Sequence, residues 1–246
     1  MNINSDINIL GNLPDYNFIK YFLDNNSGID SFSGLSEIKT TKSIKRFEKA
    51  VKASFLHCFN ESIKHLMDSV YKNESISKDY QFMLFWNMSI NNDLFHYLNN
   101  YVYFPSFYSG RVSIKTIEVK SCIIDLKSNN AELKTWKPNT VVEISSAYLR
   151  VLKKLNLLEG TLHKTILHPF LSDKMFVLFI YWIKAIETNS NLLESEWLKY
   201  SFCEKPVFIE RLMQKKFSKY FQLLYTGDKL KVETLIPYST IYHAIK

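Results

Sequence analysis

Glycine is scarce in this chain, with six among 246 residues. They stand apart, at positions 11, 28, 34, 110, 160 and 227. Loops that cradle phosphate need glycine where the backbone takes φ > 0 or closes on a ligand. No Walker-type or GxGxxG pattern exists, which argues against nucleotide enzymes of both common kinds. Cysteine is scarcer still: Cys58, Cys122 and Cys203 form no CxxC pair and no even set for a disulfide framework. They read as thiols of a reducing cytosol. Long apolar runs are missing too. The longest, Met175 to Ile183, is far short of the ~20 residues a spanning helix needs. The first residues, Met1 to Asp6, lack the basic and apolar regions of a signal peptide. The expectation is a cytoplasmic protein with no membrane partner.

Catalytic patterns are equally thin. The six histidines make no HExxH and no i,i+4 pair, no GxSxG elbow occurs, and the acidic residues are scattered. The sequence therefore nominates no catalytic residue, no metal site and no cofactor. A metal nuclease would have to gather its carboxylates in space.

What the chain has in quantity is apolar and aromatic material: 46% hydrophobic residues, with 15 Tyr, 18 Phe and 4 Trp. That supplies a core for one large domain or two small ones and rules out general disorder. Pro14 to Asp24 reads as a short helix, with Phe18, Tyr21 and Phe22 on one face, followed by a polar loop. A longer helix starts near Thr41, its stripe Ile44, Phe47, Val51, Phe55 and Cys58 spaced at the helical period. Two aromatic helices occupy Ser77 to Phe104, divided at Asn91-Asn92-Asp93, which offers a break and an N-cap. Their rings suit core packing, with base stacking as the alternative. Ser113 to Lys127 reads as helix, although its Ile and Val also suit a strand.

Trp136 to Thr140 announces the most legible helix, capped by Asn139 or Thr140, with apolar positions Val141, Ile144, Tyr148, Val151, Leu152 and Leu155. The segment from Leu157 through Gly160 to Leu167 then reads as a turn and short β ribbon, the helix-plus-wing half of a winged helix. Ser172 caps another apolar helix, to about Glu187. A helix from about Pro206 to Tyr220 precedes two β-prone runs around Gly227-Asp228, a hairpin. The fold class is mainly α: a multi-helix bundle with helix-turn-helix or winged-helix-like units and one or two short β-hairpins. Three sections follow: a helical region at 1–75, a central domain at 76–190, and a helix plus hairpin at 191–246.

The net charge of +7 is unevenly placed. Residues 1–75 are neutral in sum, yet the helix from Thr41 gathers Lys42, Lys45, Arg46, Lys49 and Lys52 opposite its apolar stripe. Lys39 precedes it, and Glu48 is the one acid in that stretch. Exposed helices usually intersperse Glu for i,i+4 pairing; here the face suits phosphate, with a solvated surface as the alternative. The helix from Thr140 repeats the arrangement with Glu143, Ser146, Arg150, Lys153 and Lys154 opposite the core. If a wing follows, this is the recognition-helix position, with His163 and Lys164 in the wing. Arg211, Lys215, Lys216 and Lys219 form a third, less regular group.

Several of these positions resemble one family. Leu84-Phe85-Trp86, Leu94-Phe95, Trp136-x3-Thr140, Leu149-x2-Leu152-x2-Leu155 and Leu157-Leu158-x-Gly160 are similar to the BrxA family of bacterial BREX phage-defence systems. So is Thr41-x-Ser43-x2-Arg46, the resemblance covering residues 40–190. It implies a small, mostly helical accessory protein without enzymatic activity, similar in shape to the NusB-type helical fold. Duplex DNA and other BREX proteins would be its partners. The chain departs from that pattern in lacking a glycine-rich opening and in its last 55 residues. The expected function is non-catalytic DNA binding through Lys42, Lys45, Arg46, Lys49, Lys52, Ser146, Arg150, Lys153, Lys154 and Lys164. The alternative is an adaptor that docks a larger complex through its aromatic surface.

Overall fold

The computed structural model describes residues 6–14, 16, 19, 40–71, 80–187 and 190–245. In chain order these form α1 (Asp6–Gly11), α2 (Thr41–Val51), α3 (Glu61–Tyr71), α4 (Gln81–Asn91), α5 (Asp93–Leu98), α6 (Phe104–Tyr108) and β1 (Ser113–Ile114). Then come α7 (Thr116–Asn129), α8 (Pro138–Lys154), β2 (Leu158–Glu159), β3 (Lys164–Ile166) and α9 (Asp173–Ile186). The chain ends with α10 (Lys205–Leu212), β4 (Phe221–Tyr225), β5 (Leu230–Thr234) and α11 (Ile241–Ala244). The mainly helical class with short β ribbons is what the sequence pattern implied.

The chain divides into two compact units, each built from two separated segments: residues 1–57 with 84–168, and residues 58–83 with 169–246. The cuts at 75 and 190 drawn from charge and loops do not coincide with these units. Sequence composition marks linkers, whereas the units are defined by which apolar faces meet.

In the first unit, local chemistry accounts for most element boundaries. The Thr40 side chain accepts a hydrogen bond from the Ser43 backbone N–H at 3.2 Å and starts α2. That helix widens into a π-helical turn at Lys52–Leu56, with Phe55 fully buried. Asn92 caps α5 through the Phe95 N–H at 2.9 Å, as its spacing foretold. A second π turn, Asn99–Tyr103, joins α5 to α6, so the helical path runs from Asp93 to Tyr108. Ser113 to Lys127 is both of its readings in succession: Ser113 and Ile114 form β1, and the rest enters α7. Neither Asn139 nor Thr140 caps α8: Lys137 stands at the cap position without a side-chain capping bond, and the helix starts at Pro138, two residues before an Asn139 cap would place it. Pro138 takes the first helical turn, where its missing N–H costs nothing.

α8 ends with Asn156 in the left-handed region at φ 55°, after which β2 and β3 form an antiparallel ribbon. β1 pairs with the outer side of β3, giving the sheet order β1-β3-β2. Trp86, Phe85, Phe95 and Tyr148 are buried, and edge-on contacts join Phe85 to Phe95 and Phe95 to Tyr148. These aromatics are core. The helix expected at Pro14 to Asp24 lies outside the described residues except at Pro14, Tyr16 and Ile19. The helix seen nearby, α1, starts eight residues earlier and buries Ile7 and Leu10.

In the second unit, α3 packs on α9 and α11. Ser172 caps α9 by accepting from the Met175 N–H, and nine consecutive α9 residues from Met175 to Ile183 are buried. The expected long helix from Pro206 stops at Leu212; Gln214 turns extended and a short 3-10 turn, Lys215–Phe217, follows. β4 and β5 make the expected hairpin, with Gly227 at φ 90° in the turn.

Candidate nucleic-acid interface

α8 carries three of the first unit's cations, Arg150, Lys153 and Lys154. Its inner face, Val141, Ile144, Tyr148 and Leu152, is buried, and the Tyr148 hydroxyl donates to Asn99 Oδ1 at 2.8 Å. That bond fixes both rotation and height of α8 against the helical path that starts at α5. On the outer arc Asn139, Val142, Glu143 and Lys153 are exposed, with Ser146 and Arg150 half-buried. Polar and apolar side chains at the helix start and a cation near its end are what a groove-reading helix carries.

The β2–β3 turn projects beside the end of α8. Gly160 holds φ 86° there, and an added Cβ would lie 2.1 Å from the His163 carbonyl oxygen. The Lys164 ammonium donates to the carbonyls of Gly160, at 3.2 Å, and Thr161, at 2.7 Å, and so braces the turn. Leu162 at the tip is 92% exposed. Burial first, then the positive charges of Lys153 and Arg150, push the Lys164 ammonium below its ordinary value. The charges of Lys153 and Arg150 are thus felt at Lys164, where α8 meets the turn. Among the described residues no carboxylate forms an ion pair with Lys153 or Lys164.

Arg150 and Lys154 have another employment. Arg150 Nε donates to the Gly11 carbonyl at 3.1 Å and Nη2 to Asn12 Oδ1 at 3.0 Å. Lys154 Nζ donates to the Gly11 carbonyl at 2.9 Å and to the Leu13 carbonyl, and lies over the Tyr16 ring. Both cations grip the negative end of α1, whose last carbonyls have no helical partners. Gly11 permits the approach: a Cβ there would stand 2.8 Å from the Ala147 carbonyl oxygen. α1 also packs on α2, and Lys49 of α2 stabilises the half-buried Asp6 carboxylate against its own burial. The two basic helices thus belong to one unit and share α1 as a neighbour.

On α2, Lys42, Lys45, Arg46 and Lys49 are exposed, as is Lys52 at the start of the π turn. Lys52 is paired with Glu48 at 2.7 Å, the i,i+4 partner the cationic run contained. The third group belongs to the second unit and is partly structural. Arg211 is buried, donates to the Leu171 carbonyl and to Asp173, and lies over the rings of Phe170 and Phe176. Lys216 joins the same Asp173 at 2.5 Å.

Sequence reasoning placed the outer half of α8 correctly but did not separate the arc that α1 covers from the arc that stays open. Asn139 was read as a cap and Val142 was not singled out, whereas the start at Pro138 places both on the first outward turns of the helix. The three cysteines are half-buried, and burial pushes the Cys122 thiol up to about 11. Among the described residues no group of three His, Cys, Asp or Glu side chains converges as metal ligands would. No described helix is long and apolar enough to cross a membrane.

No curated protein and no solved structure matches the chain. A family model does: the model described as BrxA matches residues 37–180, which include α2, the helical path of α5 and α6, α7, α8 and the β2–β3 turn. With more than half its length matched, the chain belongs to the BrxA family of BREX phage-defence proteins.

Proposed function

We propose that this protein binds duplex DNA as a non-catalytic component of its BREX system, with the first unit as a winged helix-turn-helix. This reading is supported by the order from the α5–α6 path through β1, α7, α8, β2 and β3, with strands arranged β1-β3-β2. α8 takes the recognition position. Asn139, Val142 and Ser146 face base edges in the major groove, while Lys153, Lys164 and the Gly160–His163 turn hold flanking phosphates. Other BREX proteins are its further partners, in the bacterial cytoplasm.

The observation that carries this reading is the pair formed by Lys153, exposed on α8, and Lys164 in the adjoining turn, neither with a carboxylate partner among the described residues. Like charges held together raise one another's energy, and a phosphate between them would relieve it. The α2 face adds Lys42, Lys45, Arg46 and Lys49 as sequence-independent contacts.

The test is duplex binding by fluorescence anisotropy across a salt series. Substituting Lys153→Glu together with Lys164→Glu should weaken binding by more than tenfold. It should also flatten the salt dependence by about one unit of log–log slope for each phosphate that is no longer neutralised. The same experiment on a Lys42→Glu, Lys45→Glu, Lys49→Glu variant separates the α2 face from α8. Affinity and slope unchanged in both variants would overturn the proposal.

A further inference from the structure

A cleft of about 600 Å³ opens between the α5–α6 path and α7, wholly inside the first unit. That is the size of small-ligand and side-chain clefts, ~300–1,000 Å³. One wall carries Tyr97 and Tyr101, an i,i+4 pair whose rings lie 4.4 Å apart at 34°. Tyr101 is 65% exposed and Ile117, on the opposite wall, 57%. Glu118, Ser121, Cys122 and Asp125 continue that wall along α7.

The charge of the cleft is opposite to that of the protein. Arg111, at one end, is cancelled by Glu118 at 2.5 Å, and Glu118 is further held by the Lys115 N–H at 2.7 Å. Asp125 has no such partner. Its backbone carbonyl accepts from Ser128 and Asn129, but among the described residues no cation pairs with its carboxylate. The lysines of α7 do not compensate it, because Lys120 and Lys127 line a separate hollow with Ile124 on the other side of the helix. The tyrosine wall is uncharged, Tyr97 being held in its neutral form by its own burial and then by Cys122, Tyr101 and Asp125, so the negative charge of the cleft comes from the α7 wall.

Exposed tyrosine faces, an apolar floor and an uncompensated carboxylate are the complement of a guanidinium on an aliphatic stem. A phosphate would meet Asp125 and be repelled, so nucleic acid does not suit this cleft. We propose that it binds a peptide segment of another protein, with an arginine seated between the Tyr97–Tyr101 pair and Asp125 and apolar flanking residues against Ile117 and Val102. This inference does not rest on the DNA reading.

The test uses fluorescein-labelled pentapeptides with a central arginine and flanking Leu, Phe or Ala, titrated with the full chain and followed by anisotropy. Matching peptides carry citrulline, which keeps the shape and removes the charge. Arginine peptides should bind saturably with Kd below about 1 mM and at least ~5-fold more tightly than their citrulline partners. Asp125→Asn should remove that preference, and Tyr101→Ala should weaken all binding, while both variants keep the wild-type duplex affinity. Any of three results overturns the proposal: no saturable binding up to about 5 mM by any peptide, equal binding of arginine and citrulline forms, or an Asp125→Asn variant that still prefers arginine. General electrostatics cannot produce the expected result, since a chain of net charge +7 repels cationic peptides.

Discussion

Lys153 and Lys154 show how one residue type divides between two tasks at adjacent positions. Lys153 points outward without an ion-pair partner among the described residues, while its neighbour Lys154 and Arg150 hold the carbonyl end of α1. Removing Arg150 takes away a charge-assisted bond to a part-buried carbonyl and leaves Asn12 to solvent. Arg150→Ala should therefore lower unfolding free energy by about 1–3 kcal/mol, read as a shift of the urea midpoint at unchanged slope. Lys153→Ala should leave that midpoint nearly unmoved. Gly11→Ala tests the same junction from the other side. Its Cβ would meet backbone atoms of Ala147 at 2.8 and 2.9 Å, so α1 must lift away from α8, at a cost of about 1–3 kcal/mol.

Asp173 offers a pH-dependent counterpart in the second unit. The hydrogen bond from Lys216, with further help from Arg211, outweighs burial and holds its carboxyl below the ordinary 3.8. A depressed carboxylate adds stability above its unfolded value and loses it as pH falls through the lower, folded value. Asp173→Asn should consequently lower the thermal midpoint at pH ~7 and match the wild type near pH ~2, a difference that scanning calorimetry would resolve.

Among elements, the end of α2 is held by a device the sequence did not disclose. The π turn leaves the Ser54 and Phe55 carbonyls buried, with the His57 carbonyl just beyond it, and two amides of α4 collect all three. Asn87 donates to Phe55 at 2.6 Å and to His57 at 2.9 Å, and Asn91 donates to His57 at 2.7 Å and to Ser54 at 3.2 Å. Asn87 is fully buried. Asn87→Leu would strand the Phe55 carbonyl in the core and should cost about 1–3 kcal/mol, measurable by urea unfolding.

The helices themselves were legible because their signals are local. Ser172 and Asn92 cap where their side chains reach a backbone N–H three residues on, and the α8 stripe follows the helical period. The β2–β3 ribbon was legible for the same reason, with Gly160 at its turn. What was hidden depends on pairing at long range. α1 carries too few residues to show a period, and that it covers Ala147 and takes up Arg150 follows from a bond between positions nearly 140 apart. The short α10 was misjudged because the polar and apolar residues after Leu212 continue a helical pattern, whereas Gln214 leaves the helix.

At the scale of the molecule, the section from 191 to 246 is part of the second unit together with residues 58–83 and 169–190. Its hairpin and α11 belong with α3 and α9: Asn191 bonds to Leu230, Tyr181 to Ile236, and α11 packs on α3. Truncation after His168 would leave Ile63, Leu66, Met67 and Val70 of α3 without the helices that bury them. Such a chain should bind an apolar dye strongly and sediment as aggregates, while the intact chain does neither. A soluble, dye-negative truncation would show that the first unit needs nothing beyond His168.

The pairing of α1 with α8 sets a clock on the ribosome. The guanidinium that holds the Gly11 carbonyl is encoded 139 residues after it. At bacterial synthesis rates of about 5–20 residues per second, the first helix waits roughly 7–28 s before its partner exists. Asn60 of the second unit waits comparably for Ala185, 125 residues on. Both units are therefore finished by late segments, and during that interval Ile7 and Leu10 are apolar surface available to chaperones or to a neighbouring nascent chain.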